Sequence, residues 1–434
     1  MSTLMLKDLL RQIDHSTRRQ LITNAAKACL GVSVIGGMNW ANSAIAADAT
    51  AAAPKKKNAK SVIYIFMVGG MSHIDTWDPK PGADTAGDFK AVKTNVNGIQ
   101  VSEQFGAIGK HMDKMCLIRS MTSSQGAHER AQYLMHTSYA PLASVKHPGL
   151  GPWLHRLGGR HNEKLPGSVI VGGHRDSSAG VLGSAYEPIT IGNPAAGLQN
   201  SKLRMSDSDF EHRRGLLDAI DQNFRNRYPQ DSVTAYTRFY QEAVDLIKSD
   251  DVKAFDISQE SAAIKTAYGA NNFGMGLLLA RRLVEHGVRY VEVTIGGWDT
   301  HQDNFDQLGT KLPPVNQGIA ALMDDLYKKG MLNDVLVAQA SDFGRTPKIN
   351  ERDGRDHYPR VFTTMLAGGG VKGGQIYGAS DDKGAAVKDK PVTPQDFNAT
   401  IAYALGLPHD KQVFSKIGRP FTLADQGKPV TAIF

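Results

Sequence analysis

The chain has 434 residues, 41% of them hydrophobic, which is enough for a substantial buried core in one large domain or two. Two cysteines exclude a disulfide framework. A formal charge of +7, part of it carried by Lys7, Arg11, Arg18, Arg19 and Lys27, is too mild to argue for a nucleic-acid partner.

Residues 1–46 read as an export signal outside the fold. Ser16-Thr17-Arg18-Arg19-Gln20-Leu21-Ile22 resembles the twin-arginine signal pattern. A weakly apolar run follows over 25–36, and Ala44-Ile45-Ala46 suits signal-peptidase cleavage before Ala47. The competing reading is an amphipathic helix with an incidental arginine pair. The apolar run is too short for a spanning helix, so no stable membrane anchor is expected after cleavage. The twin-arginine route carries folded proteins, and the expected location is periplasmic or secreted. Residues 47–60, rich in Ala and Lys, read as a disordered linker before one α/β domain over 61–434.

Residues 61–68 are almost wholly apolar, the composition of a buried parallel strand. The run stops at Gly69-Gly70-Met71-Ser72-His73-Ile74-Asp75, so His73 and Asp75 are candidate site residues; the bland alternative is a tight Gly-Gly turn. A second strand, 115–118, leads through a hydroxyl-rich loop to His128, which opens a helix where backbone N–H groups favour anions. Gly167-Ser168-Val169-Ile170-Val171 reads as another strand, followed by His174 at the rim. Helical patterning over 206–286 predicts an inserted subdomain or lid.

The next stretch carries most of the chemistry. The strand 289–295 ends in Trp298-Asp299-Thr300-His301, and the strand 334–340 ends in Ser341-Asp342-Phe343-Gly344-Arg345. Between them, 314–329 reads as a helix with Ile319, Leu322, Met323 and Leu326 on one face. Strand, helix, strand implies parallel pairing, with both acidic loops at the carboxyl ends, where open α/β sheets bind ligands. Gly354-Arg355-Asp356-His357 adds another imidazole. Carboxylates and imidazoles gathered at such an edge suit a divalent cation. The remaining 362–408 reads as scaffold; its glycine run lacks the Walker pattern of a phosphate loop.

Four ordered motifs, 69–80, 297–301, 341–346 and 354–357, together resemble the domain of unknown function 1501 family, and that family resembles the alkaline phosphatase and sulfatase superfamily. The resemblance implies a doubly wound, mostly parallel sheet with helices on both faces and a metal site at the strand ends. Carried over residue by residue, it implies His73, Asp75, Asp299, His301, Asp342 and His357 as ligands of zinc, calcium or manganese. Gly69 stands where the superfamily has an acidic ligand, and Phe343 where it has an imidazole. His128 falls at the nucleophile position, with Arg345 or Arg355 to bind an anionic ester oxygen bidentately.

Two functional readings follow. One is an exported metal-dependent hydrolase of a phosphate or sulfate ester, acting on a small anionic substrate through metal-activated water. The other is a non-catalytic binding or assembly protein on the same scaffold, with a protein partner and a repurposed site.

Overall fold

Ser61–Met67 forms strand β1, and all seven of its residues are buried. A computed structural model describes residues 59–434, apart from 174–176, 202–203 and 416–417 and the side chains of 231–232. The expected export signal, the linker up to residue 58 and His174 therefore lie outside the described residues.

Seven further strands share a sheet with β1. They are β2 (Met115–Met121), β3 (Ser168–Val171), β4 (Ile189–Ile191), β5 (Tyr290–Ile295), β6 (Val335–Ser341), β7 (Phe362–Gly368) and β8 (Gln375–Tyr377). Their spatial order is β8-β2-β7-β6-β1-β5-β3-β4. Neighbouring strands run parallel except at β7, which opposes both β6 and β2. The sequence pairs the strand at 289–295 with the one at 334–340. The structure keeps them parallel but puts β1 between them, with Val62 beside Tyr290 on one side and Leu336 on the other. A strand apolar along both faces fits that central place, because helices cover both sides of a parallel sheet.

The main helices are α1 (His128–Thr137), α2 (Leu150–Gly158), α3 (Asp207–Arg227), α4 (Asp231–Lys248), α5 (Asn272–Glu285), α6 (Asn304–Lys328) and α7 (Pro394–Ala404). On one side of the sheet, α7 joins a core with Tyr64, Phe66, Ala338 and Leu366 through Phe397 and Ile401. It begins with a capping box, Thr393 and Asp396 each bonding the other's backbone N–H, and with Pro394 at its first position. Helix α5 packs on β5 and α6, and its Leu277, Leu278 and Leu283 are all buried.

Helix α6 starts at Asn304, well before the expected start at Pro314, and runs through Pro313 and Pro314. Its start is fixed by the loops around the site. Asn304 N donates to Asp353 O at 2.8 Å, and Thr300 Oγ1 donates to Asn304 Oδ1 at 2.6 Å. An interior proline costs about 3 kcal/mol. Burial of Val315, Ile319, Leu322, Met323 and Leu326 along one stripe offsets that cost.

The described residues divide into two compact units: 198–253, carrying α3 and α4, and 59–197 with 254–434, carrying the sheet. Of the helical stretch expected over 206–286, α5 belongs to the sheet unit. Among the described residues no helix is long and apolar enough to cross a membrane.

Candidate metal centre

Strands β1, β5 and β6 end together, since Met67 lies beside Ile295 on one side and Ser341 on the other. Hydrogen bonds sew these ends to each other. Ser341 Oγ donates to Met67 O at 2.7 Å and accepts from Met71 N at 2.8 Å. Asp342 Oδ1 accepts the amides of Gly69 at 3.0 Å and Gly70 at 3.2 Å. Gly69 has φ +120°, and a Cβ there would stand 2.9 Å from Asp299 N. Only glycine lets the turn after β1 lie against the turn after β5.

Three imidazoles converge on Asp299 at this edge. His301 Nε2 lies 3.0 Å from Asp299 Oδ1, and the Nε2 atoms of His128 and His357 each lie 3.2 Å from it. His301 Nε2 is also 3.0 Å from His357 Nε2. On the other side of each ring, Nδ1 faces a group that can only accept. Asp342 Oδ2 lies 2.6 Å from His128 Nδ1, and Asp356 Oδ1 lies 2.6 Å from His301 Nδ1. Gly126 O lies 2.9 Å from His357 Nδ1. In the neutral ring a hydrogen on Nδ1 satisfies these acceptors and leaves Nε2, on the side of Asp299, free to ligate. Asp299, His128 and His357 offer donor atoms all within 4.8 Å of one another, with His301 adjoining.

Of the other expected site residues, Asp342 belongs to the cluster, but as the buried anchor of His128, its oxygens also taken by Gln132 Nε2 at 3.0 Å and by the two glycine amides. His73 and Asp75 are placed elsewhere. Asp75 makes a buried two-point ion pair with Arg355, at 2.8 and 3.0 Å, and accepts from Asn304 at 3.1 Å; His73 Nε2 bonds Gly384 O at 2.9 Å. The reason is the Gly-Gly turn, whose amides are committed to Asp342, so that the following segment turns inward. Arg345 is fully buried and bonds the carbonyls of Gly69, Gly70 and Arg355 as well as Asp299 Oδ1, the last at 2.5 Å. Arg355 is equally consumed, by Asp75, Thr85, Thr346 and Pro347. Neither guanidinium is presented to a ligand. Sequence reasoning did not assign Asp356, Gln132 or the Gly126 carbonyl. Gln132 could have been found, because it stands one helical turn after His128.

The profile of the family described as "Protein of unknown function (DUF1501)" matches residues 59–434. The chain belongs to that family. No curated protein matches the DUF1501 chain. Among solved structures it is similar to a sulfatase from Pseudoalteromonas sp., at 14% identity and a TM-score of 0.41, covering 86% of this chain and 73% of the other. It is also similar to the soluble domain of lipooligosaccharide phosphoethanolamine transferase A from Neisseria meningitidis (10% identity, TM-score 0.37, 83% and 91% covered). A third similarity is to an alkaline phosphatase from the Antarctic bacterium TAB5 (12% identity, TM-score 0.34, 80% and 98% covered).

Within the DUF1501 chain, electrostatics bear on what the cluster can hold. Burial resists ionisation of Asp299, but Arg345 and His128 overcome it and hold the carboxyl well below the usual carboxylate range. Burial likewise opposes charge on His128, yet Asp342 and Asp299 raise its pKa above the ordinary imidazole value. At His357 burial prevails and the pKa falls. Arg345 supplies part of the positive charge that donor groups gathered this closely favour, and a cation would supply more. His128 Nε2 is itself buried and, despite its 3.2 Å approach to Asp299, outside hydrogen-bonding geometry. Two imidazole nitrogens and one carboxylate oxygen within 4.8 Å of one another, each ring oriented from behind by an acceptor, fit a divalent cation, and His301 adjoins them.

Proposed function

We propose that this chain is a metal-dependent hydrolase whose divalent cation is held by His128, His301, His357 and Asp299. The observation that carries the reading is the convergence of three Nε2 atoms on Asp299 Oδ1, with every Nδ1 committed behind it. A donor set of three nitrogens and one oxygen favours zinc, or another transition metal that accepts imidazole, over calcium. When bound, such a cation supplies Lewis acidity and lowers the pKa of a coordinated water toward neutrality.

The protein's own part is orientation. Asp342 and Asp356 fix the rings of His128 and His301, while Arg345 fixes the carboxylate of Asp299 and balances its charge. Asp299 is exposed and His301 and His357 are partly so, which leaves the cluster open to a substrate. The expected substrate class is a phosphate or sulfate ester, as the motif resemblance implies. Export by the twin-arginine route, as a folded protein, belongs to the same proposal.

A second reading, a binding or assembly protein on the same scaffold, is favoured by one observation: both arginines expected to grip an ester oxygen are buried and fully bonded. Elemental analysis of the native protein, purified without chelator, separates the readings when followed by an ester screen. The hydrolase reading expects about one equivalent of transition metal, lost in folded Asp299→Ala protein, and metal-dependent turnover. Full metal content in that variant would overturn the assigned ligands. Metal binding with no turnover of any ester would favour the binding protein.

A further inference from the structure

Gln307, Thr310, Lys311 and Pro314 follow the i, i+3, i+4, i+7 spacing of one helix face. That face of α6 forms one wall of a cavity of about 790 Å³. The ends of β3 and β5 form the facing wall, through Gly172 and the Gly296-Gly297 turn. The turn runs directly on through Trp298 to Asp299, so the cavity adjoins the metal centre along the chain. Its size is that of a site for a small organic molecule.

Lys311 is the single charged residue lining this space among the described residues. Its Nζ donates to Gly296 O at 2.8 Å and stands 5.9 Å from the Trp298 ring. Gly297 has φ +85°, and a Cβ there would meet Nζ at 2.6 Å, so the turn is shaped to admit the ammonium. Burial pulls the amine's pKa down, with no carboxylate beside it to push back. An ammonium has three donors, and one carbonyl satisfies only one of them. A half-buried cation with a neutral partner, in a cavity otherwise lined by neutral groups, is matched by an anion.

We propose that the cavity is the substrate-recognition site and that Lys311 receives an anionic group of the substrate, a carboxylate, phosphate or sulfate on a neutral, hydrogen-bonding body. The assignment deepens the hydrolase reading and rests on it for the word substrate; the anion site itself stands without it. It also moves anion recognition from Arg345 to a residue on α6.

The test is calorimetric titration of the native protein at fixed low ionic strength with paired probes, glucuronate against glucose and benzoate against benzamide. A charge-assisted hydrogen bond is worth enough to favour the anionic member of a pair about tenfold or more. Lys311→Met should abolish that preference, Lys311→Arg should keep most of it, and added salt should weaken it. Metal content is measured on the same samples and should be unchanged in Lys311→Met, which touches no proposed ligand. Equal binding within each pair by the native protein, no binding of any anion, or a preference surviving in Lys311→Met would each overturn the proposal. An anion preference in protein that holds no metal would sink the hydrolase reading and leave the anion site standing.

Discussion

At the scale of single residues, the groups behind the proposed ligands would orient them and tune their affinity. Asp356 is half exposed, and among the described side chains its carboxylate bonds His301 and the amide of Asn350. Asp356→Asn therefore removes the orienting charge with little cost to the fold. The expected result is a loss of metal affinity of about 10- to 100-fold, read by competition with a chromophoric chelator, at nearly unchanged melting temperature. Asp75 gives the opposite pattern. Its bidentate pair with Arg355 is completely buried, and removing one partner of such a pair costs roughly 3–5 kcal/mol. Asp75→Ala should lower the denaturation midpoint sharply, while the folded fraction keeps its full metal content. A loss of metal without a loss of stability would return Asp75 to the ligand set. The sequence presents both aspartates within two residues of a histidine in a site-like motif, and nothing local distinguishes them. What decides is where the preceding turn aims the chain, and that depends on amides bonded to Asp342 from far along the sequence.

At the scale of elements, legibility follows locality. The strands at 61–67, 290–295 and 335–341 are apolar runs that announce themselves. The insertion of β1 between β5 and β6 leaves no local trace, since any of three buried strands could lie in the middle. The start of α6 was hidden for a different reason: Pro313-Pro314 carries a helix-start signal, and the competing start at Asn304 is set by loops that meet only in the folded state. His128, Asp299, His301 and His357 were legible as chemistry, although only the fold shows that one oxygen is their common focus. The loop before α2 yields a prediction of its own. His147 is buried, stacked on Tyr139 at 4.3 Å and bonded through Nδ1 to the Tyr133 hydroxyl at 2.8 Å. Burial, with Arg419 adding to it, pushes its pKa from 6.5 down to about 4. The unfolded chain therefore binds more protons between those values, so this contribution to stability is complete above pH 6.5 and lost as pH falls toward 4. Its upper bound is about 3 kcal/mol. Denaturant titrations at pH 7 and pH 4.5 should show a smaller difference for His147→Gln than for the unaltered protein; equal differences would remove His147 from the account.

At the scale of the whole molecule, a cation held by the proposed ligands on α1, the turn after β5 and the loop after β6 would tie the folded state together. A ligand present at a hundred times its dissociation constant stabilises by about 2.7 kcal/mol. Exhaustive chelation should therefore lower the calorimetric melting temperature by several degrees, and readdition of zinc should restore it. An identical melting temperature with and without chelator would mean that no cation of useful affinity binds the native state. The ligands have a further consequence for the order of events during synthesis. His128 emerges from the ribosome long before His357, and no chelate exists until the ends of β1, β5 and β6 have been joined. With the proposed ligands, metal acquisition would be a late step, and the compartment in which folding finishes would decide which cation is taken. A chain exported already folded would carry out a cation drawn from the cytosolic pool, whereas a chain threaded across unfolded would choose its cation from the pool outside.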